Sequence, residues 1–219
     1  MAIRSSFDKD LKRLKDDLLE MVTLAKNSVE DSVKALADLD FEKAKQIIED
    51  DEKINRYDEK INNLVVQLIA QQQPVATDLR RIIAALKISN DVERIGDLAV
   101  NISKSILHIG NGPLIKPIVE IPKMANMALE MLTSVIEAYI NEDPVLAKET
   151  AASDDQVDAL YGKLTQELLE LMAKNPQYIH QVTQLAFVCR YIERIADHTT
   201  NMSEHIIFMV KAKTYELNT

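Results

Sequence analysis

The chain has 219 residues and a formal net charge of −9; 47% of it is hydrophobic, only 5% aromatic, and there is no Trp. That balance excludes a nucleic-acid surface, which needs clustered Lys and Arg, and it disfavours an anionic membrane. No apolar run approaches the roughly 18 residues of a spanning helix. The stretch from Met1 to Asp10 lacks the apolar core of a signal peptide, and the single cysteine, Cys189, has no disulfide partner and sits among apolar residues as a packing group. A cytoplasmic location is therefore expected. With four Gly and six Pro available for turns, the elements must be few and long. This predicts an all-α protein.

The first helix is predicted from Ser6, read as its N-cap, with Asp8 and Asp10 in the first turn where acids suit the helix dipole. Phe7, Leu11, Leu14, Leu18, Met21, Ala25, Val29, Val33 and Leu36 then step by three and four. The pattern breaks at Ala37–Asp40. Phe41 opens a second helix, whose Ile47, Ile54, Ile61 and Leu68 repeat at heptad spacing until the Gln-rich joint and Pro74 end it. Thr77 is read as the cap of a third helix, Asp78 to Ile109. Gly110 to Pro113, with Pro117 following, is the clearest break in the chain. Beyond it the plan repeats. A fourth helix is predicted over Ile118–Asn141, a fifth opens on Pro144, and Asn175–Pro176 separates that from a sixth ending near Lys213.

The two halves can be laid over one another at an offset of about 100 residues, pairing Met21 with Met124, Asp40 with Asp143, Ala44 with Ala147, Asp51 with Asp154 and Ile54 with Val157. The strongest repeat is Ile88–Ile102, ISNDVERIGDLAVNI, which returns as Val188–Met202, VCRYIERIADHTTNM. Each copy has a core-facing seam: Ile88, Val92, Ile95, Ala99, Ile102, Ile106 and Ile109 in the first, Val188, Ile192, Ile195, Thr199, Met202, Ile206 and Met209 in the second. Glu93, Asp97 and Asn101 then form a line of oxygen-bearing side chains on the face turned away from the core, and Glu193, Asp197 and Asn201 form its copy. Two readings stay open for these lines. Carboxylates four residues apart on a helix repel by roughly 0.2–0.5 kcal/mol, a penalty that a bound cation would reverse. Arg94 and Arg194, beside the lines, offer a purely local partner instead.

On these residues the chain resembles the PhoU family of bacterial regulators of phosphate uptake. The resemblance runs over essentially the whole length and is most specific at Gln72–Arg80 (QQPVATDLR), Asn90–Ile102 and Tyr191–Met202. It implies two pseudo-symmetric three-helix bundles, 1–110 and 118–215, joined by a Gly/Pro linker at 111–117, six long helices in all. It implies metal ions (iron, zinc, manganese or magnesium) held on the surface by the acidic ExxxD motifs, here Glu93 with Asp97 and Glu193 with Asp197. It implies acids from the first helix of each half turned toward those motifs; Asp31 has Ser134 as its counterpart and Glu130 has Asn27, which would make the two sites unequal. It implies no catalysis, but an adaptor that damps a phosphate-sensing histidine kinase and restrains the ATPase subunit of a phosphate ABC transporter, meeting the membrane only through these partners. A bundle with so many Leu, Ile and Met positions is also expected to form a homodimer. The competing class is a metal-dependent hydrolase or metal store built on the same carboxylates.

Other residues carry less. His205 continues the line of Asn201 and admits either a further ligand or an ordinary exposed polar residue near a helix end; His198 lies near it. Outward acids do not suit the inward Glu-x-x-His plan of di-iron bundles. Asp78, Arg80 and Arg81 admit either a phosphate-sensing patch or ordinary helix-start pairing. Met124, Met127 and Met131 are read as core filler.

Overall fold

The computed structural model of the chain describes residues 2–110, 112–115 and 118–217, with side chains from Phe7 onward. Its helices are α1 (Ala2–Asp38), α2 (Phe41–Gln72), α3 (Ala76–Ile109), α4 (Glu120–Asn141), α5 (Pro144–Ala152), α6 (Asp154–Lys174) and α7 (Ile179–Lys211), with a 3-10 turn over Pro176–Tyr178. Among the described residues there is no strand. The protein is all-α, and α5 and α6 are one long helix interrupted at Ser153, so six helices are laid out as three and three. At the interruption the Ser153 N–H bonds to Thr150 O at 3.0 Å, the tightened spacing of a 3-10 turn. The predicted 111–117 linker falls partly outside the described residues, at Asn111, Lys116 and Pro117.

The duplication is visible in the backbone. Leu39 and Glu142 both take left-handed conformations, with φ of 50° and 51°. The residue after each closes the same bond, Asp40 N–H to Ala35 O and Asp143 N–H to Ala138 O, both at 2.9 Å. Asp40 and Asp143 then cap the next helices, accepting from Lys43 N–H at 2.9 Å and Val145 N–H at 2.8 Å. Two other predicted starts are displaced. α1 begins at Ala2, which puts Ser6 inside the helix and Asp8 and Asp10 beyond its first turn. α3 is capped by extended Val75 without a side-chain bond, and the Thr77 hydroxyl instead accepts from Arg80.

Both predicted seams are buried, from Ile88 to Ile109 and from Val188 to Met209. They belong to one continuous core that includes α1, α2, α4 and α6. α3 and α7 lie at its centre and pack on each other. They run antiparallel: Arg80 Nε donates to Met209 O at 3.1 Å at one end, and His180 Nε2 meets His108 O at 2.7 Å at the other. α3 is also packed by α1 and α2, and α7 by α4, α5 and α6. Each central helix keeps only a narrow exposed strip, Lys87, Asn90, Arg94 and Lys104 on α3 and Phe187, Arg190 and Arg194 on α7.

α2 lies close against α3 at Gly96, where an added Cβ would stand 2.9 Å from Ile54 Cδ1 and 3.3 Å from Asp51 Oδ1. The equivalent positions in the other half are Ala196 and Val157, both buried. One methyl group has in effect moved from one helix to the other with the volume kept. Gly96→Ala alone is expected to destabilise by roughly 1–3 kcal/mol through overpacking, even though Ala is the better helix former. Gly96→Ala with Ile54→Val should recover most of that loss in urea unfolding; a double variant no more stable than the single one would contradict this packing account.

Candidate metal grooves

The acid lines run along these exposed strips but are half-buried at Glu93, Asp97, Asp197 and the two Asn residues, and buried at Glu193. Each line borders a groove against the second helix of its own half. Glu93 and Asp97, with side chains 23% and 41% exposed, face Asp51 and Asp58 of α2. Glu193 and Asp197 face Asp154 and Asp158 of α6, and the Glu193 side chain is only 10% exposed. Asn101 and Asn201 continue their lines half-buried. The opposing acids therefore come from the second helix of each half, not the first. Asp31 is held by Lys43 Nζ at 2.6 Å, and Glu130 rims a separate cavity with Met127, Met131 and Ser134.

In the first groove the local partner of the sequence reading is engaged: Arg94 reaches Glu93 at 3.2 Å and Asp97 at 2.8 Å. One guanidinium does not balance the site. Burial, then the charges of Asp97, Asp58 and Asp51, push the Glu93 carboxyl above its usual range against the pull of Arg94. Asp51 is also pushed up, first by burial and then by Asp97, although it accepts from Asn55 Nδ2 at 3.1 Å. Asp58 accepts from Asn62 through Oδ2, while its buried Oδ1 has no hydrogen-bond partner.

The second groove is more extreme. Arg190, one turn before Glu193 and not singled out in the sequence, donates to Glu193 Oε1; Oε2 is buried with no hydrogen-bond partner. Asp154 is pushed up to about 7, first by burial and then by Asp158, Asp197 and Glu193, with only the Thr200 hydroxyl opposing. Its Oδ1 is also buried without a partner. Burial raises Asp197 as well, against Arg190, His198 and Arg194. A cavity of about 510 Å³ opens between Lys148, Asp154, Asp155, Asp158, Asp197 and Leu217.

Such carboxylates hold more negative charge than their neighbours neutralise, which is the donor set that hard or borderline cations select. Among the described residues no three His, Cys, Asp or Glu side chains are already gathered as a metal shell. One oxygen each of Asp58, Asp154 and Glu193 nevertheless fits a cation: it is a buried acceptor without a hydrogen-bond partner, although Asn62, the Thr200 hydroxyl and Arg190 act on the same three carboxyls. Sequence reasoning missed Asp51 and Asp154 as site residues, although their identity across the halves was the available signal.

The histidines go elsewhere. His205 does not extend the acid line. Its Nε2 meets Asp91 Oδ2 at 3.3 Å, and His198 Nδ1 meets Asp91 Oδ1 at 3.0 Å, tying α7 to α3. Burial alone would raise Asp91, but the two imidazoles hold its carboxyl below the usual range. Tyr191 stands at the equivalent position, so this clasp is not duplicated. Arg81 is paired with Glu142 at 2.7 Å and Asp78 at 3.2 Å, which is the ordinary helix-start reading. Cys189, Met124 and Met131 are buried, and Met127 packs beside them.

A family model described as the PhoU domain matches the chain twice, over residues 18–106 and 121–206. Each match contains one acid line. The chain is 40% identical over 217 residues to a phosphate-specific transport system accessory protein PhoU homolog from Clostridium acetobutylicum, covering 98% of this chain and 99% of that one. It is 36% identical to the homolog from Rhizobium meliloti, over 94% of this chain and 88% of the relative. Among solved structures it is similar to PhoU from Pseudomonas aeruginosa, with a TM-score of 0.90, 32% identity and coverage of 94% and 100%. The phosphate transport system regulatory protein PhoU from Streptococcus pneumoniae also superposes with a TM-score of 0.90, at 28% identity, over 96% and 99% of the two chains.

Proposed function

The chain belongs to the PhoU family, and from that premise we propose that it regulates phosphate uptake by contact, as a cytoplasmic partner of a phosphate ABC transporter's ATPase subunit and of a sensor histidine kinase. Its relatives are named as accessory or regulatory proteins of phosphate transport systems. No helix among the described residues is long and apolar enough to cross a membrane, so the reading places it at the membrane through those partners. Deleting the gene should leave phosphate-starvation genes switched on in rich medium. Normal repression in the deletion strain would sink the regulatory role.

The same proposal gives each groove a cation: iron, zinc, manganese or magnesium. The observation that carries it is the set of buried carboxylate oxygens without partners. Asp51, Asp58, Glu93 and Asp97, with Asn101 at the edge, would hold the first; Asp154, Asp158, Glu193 and Asp197, with Asn201, the second. A bound cation would supply positive charge between these acids and leave coordination positions for water or for a partner's oxygens. The residues' own part is to repel one another until that charge arrives, so that the groove is rigid with metal and loose without it.

A homodimer is part of the reading. Val66, Val75, Leu169 and Ile179 are exposed at the two helical hairpin tips, 68%, 75%, 57% and 56% respectively, and large apolar side chains left in water favour association. With a chain mass of 24.8 kDa, light scattering at micromolar protein should return twice that value. A monomer mass would contradict this.

A further inference from the structure

The two grooves share three duplicated acids and differ in what lies over them. α7 ends at Lys211, and Ala212 turns the chain through a left-handed conformation, φ 54°. Residues 213–216 are exposed and irregular, and Leu217 lands back on the second half. Its N–H donates to Glu204 Oε1 at 2.6 Å. Its side chain packs against the core and forms one wall of the cavity that holds Asp154, Asp158 and Asp197. The described residues after α3 run differently: Ile115 N–H donates to Gln181 Oε1 at 2.6 Å and Pro113 O accepts from Gln181 Nε2 at 3.2 Å, which ties them to the start of α7.

We propose that residues 213–217 are a strap that gates the second groove, with Leu217 as its latch, so that a divalent cation enters and leaves there more slowly than in the first groove. This rests on the reading of the second groove as a cation site. One hydrogen bond and one half-buried leucine hold the strap, and a segment with so few contacts opens locally without the fold opening. The chain thus carries two copies of one site with different exchange rates. Glu204 is part of the latch and not of the acid set, because its carboxylate is taken by the Leu217 N–H. A partner that lifts the strap would release or load the second cation selectively.

The test uses Mn2+ and two backgrounds. With the first groove silenced by Glu93→Gln and Asp97→Asn, stopping the chain after Ala212 should speed Mn2+ exchange about tenfold, as should Leu217→Asp in the full chain. With the second groove silenced by Glu193→Gln and Asp197→Asn, neither change should alter the rate. Equal rates with and without the strap in the first background would overturn the proposal, and so would equal acceleration in both backgrounds. A readout that needs no metal separates this from the cation reading. Ala151 is 7% exposed beside the cavity and Cys189 is buried, so Ala151→Cys should be labelled by a thiol reagent about tenfold faster once the strap is removed. Unchanged labelling would overturn the strap. Faster labelling in a protein that takes up no Mn2+ would uphold the strap as a cover and remove the cation from beneath it.

Discussion

Asp154→Asn is expected to raise the melting temperature of the metal-free protein by several degrees at about pH 7.5 and to weaken cation binding in the second groove. The carboxyl is pushed up to about 7, first by burial and then by Asp158, Asp197 and Glu193. A carboxyl raised in the folded state binds its proton more tightly there than in the unfolded chain. Its contribution is therefore present at low pH and lost as pH rises from about 4 through about 7. Above that, the charged form is a liability that the neutral amide removes, worth on the order of 1–2 kcal/mol for a half-buried group. Wild-type protein without metal should accordingly gain stability between about pH 7.5 and pH 5, and the variant should gain less. Cation and proton compete for the same oxygens, so Mn2+ should raise the wild-type melting temperature more at the higher pH. Equal melting curves for wild type and Asp154→Asn across this range would mean that the second groove is not strained.

Arg190→Met should have an opposite pair of effects. Arg190 donates to Glu193, whose own side chain is only 10% exposed while that of Arg190 is 49% exposed. Removing one partner of a fully buried pair destabilises by about 3–5 kcal/mol; with half of this pair in solvent, roughly 1–3 kcal/mol is expected. The loss should shrink as pH falls, because burial and then Asp197 already push the Glu193 carboxyl up and a proton can replace the guanidinium. Cation affinity should rise, since Arg190 competes for Oε1. Urea unfolding at two pH values, with and without Mn2+, reads both effects. A stability loss that Mn2+ does not restore would show that Glu193 faces Arg190 only and no cation.

The helices were legible because their burial is periodic. The seam from Ile88 to Ile109 and its copy from Val188 to Met209 are buried residue by residue, and the Asp40 and Asp143 caps follow from the chemistry of a short acid before a helix. The face of the acid lines was legible only in part, for a physical reason. A heptad assigns one buried side, whereas α3 and α7 are packed on several sides by their neighbours, so positions that read as outward open onto α2 and α6. Which opposing acids meet them depends on the rotation of those helices, with α2 set close against α3 at Gly96 and Ile54. The Asp91 clasp to His198 and His205 joins residues about a hundred positions apart across the two halves, and a contact of that kind leaves no periodic trace. Nor does the turn at Ala212 announce where Leu217 will settle.

The central claim is that the duplicated acid lines hold cations. Its most direct measurement is calorimetric titration with Mn2+, Zn2+ and Fe2+ after chelation, comparing wild type with the fourfold variant Glu93→Gln, Asp97→Asn, Glu193→Gln and Asp197→Asn, with helical circular dichroism as the folding control. Wild type should bind, each half-variant should retain part of the capacity, and the fourfold variant should bind none while remaining helical. If wild type and the fourfold variant bind equally little, or equally well, the grooves are acidic packing surfaces and the metal half of the account is wrong.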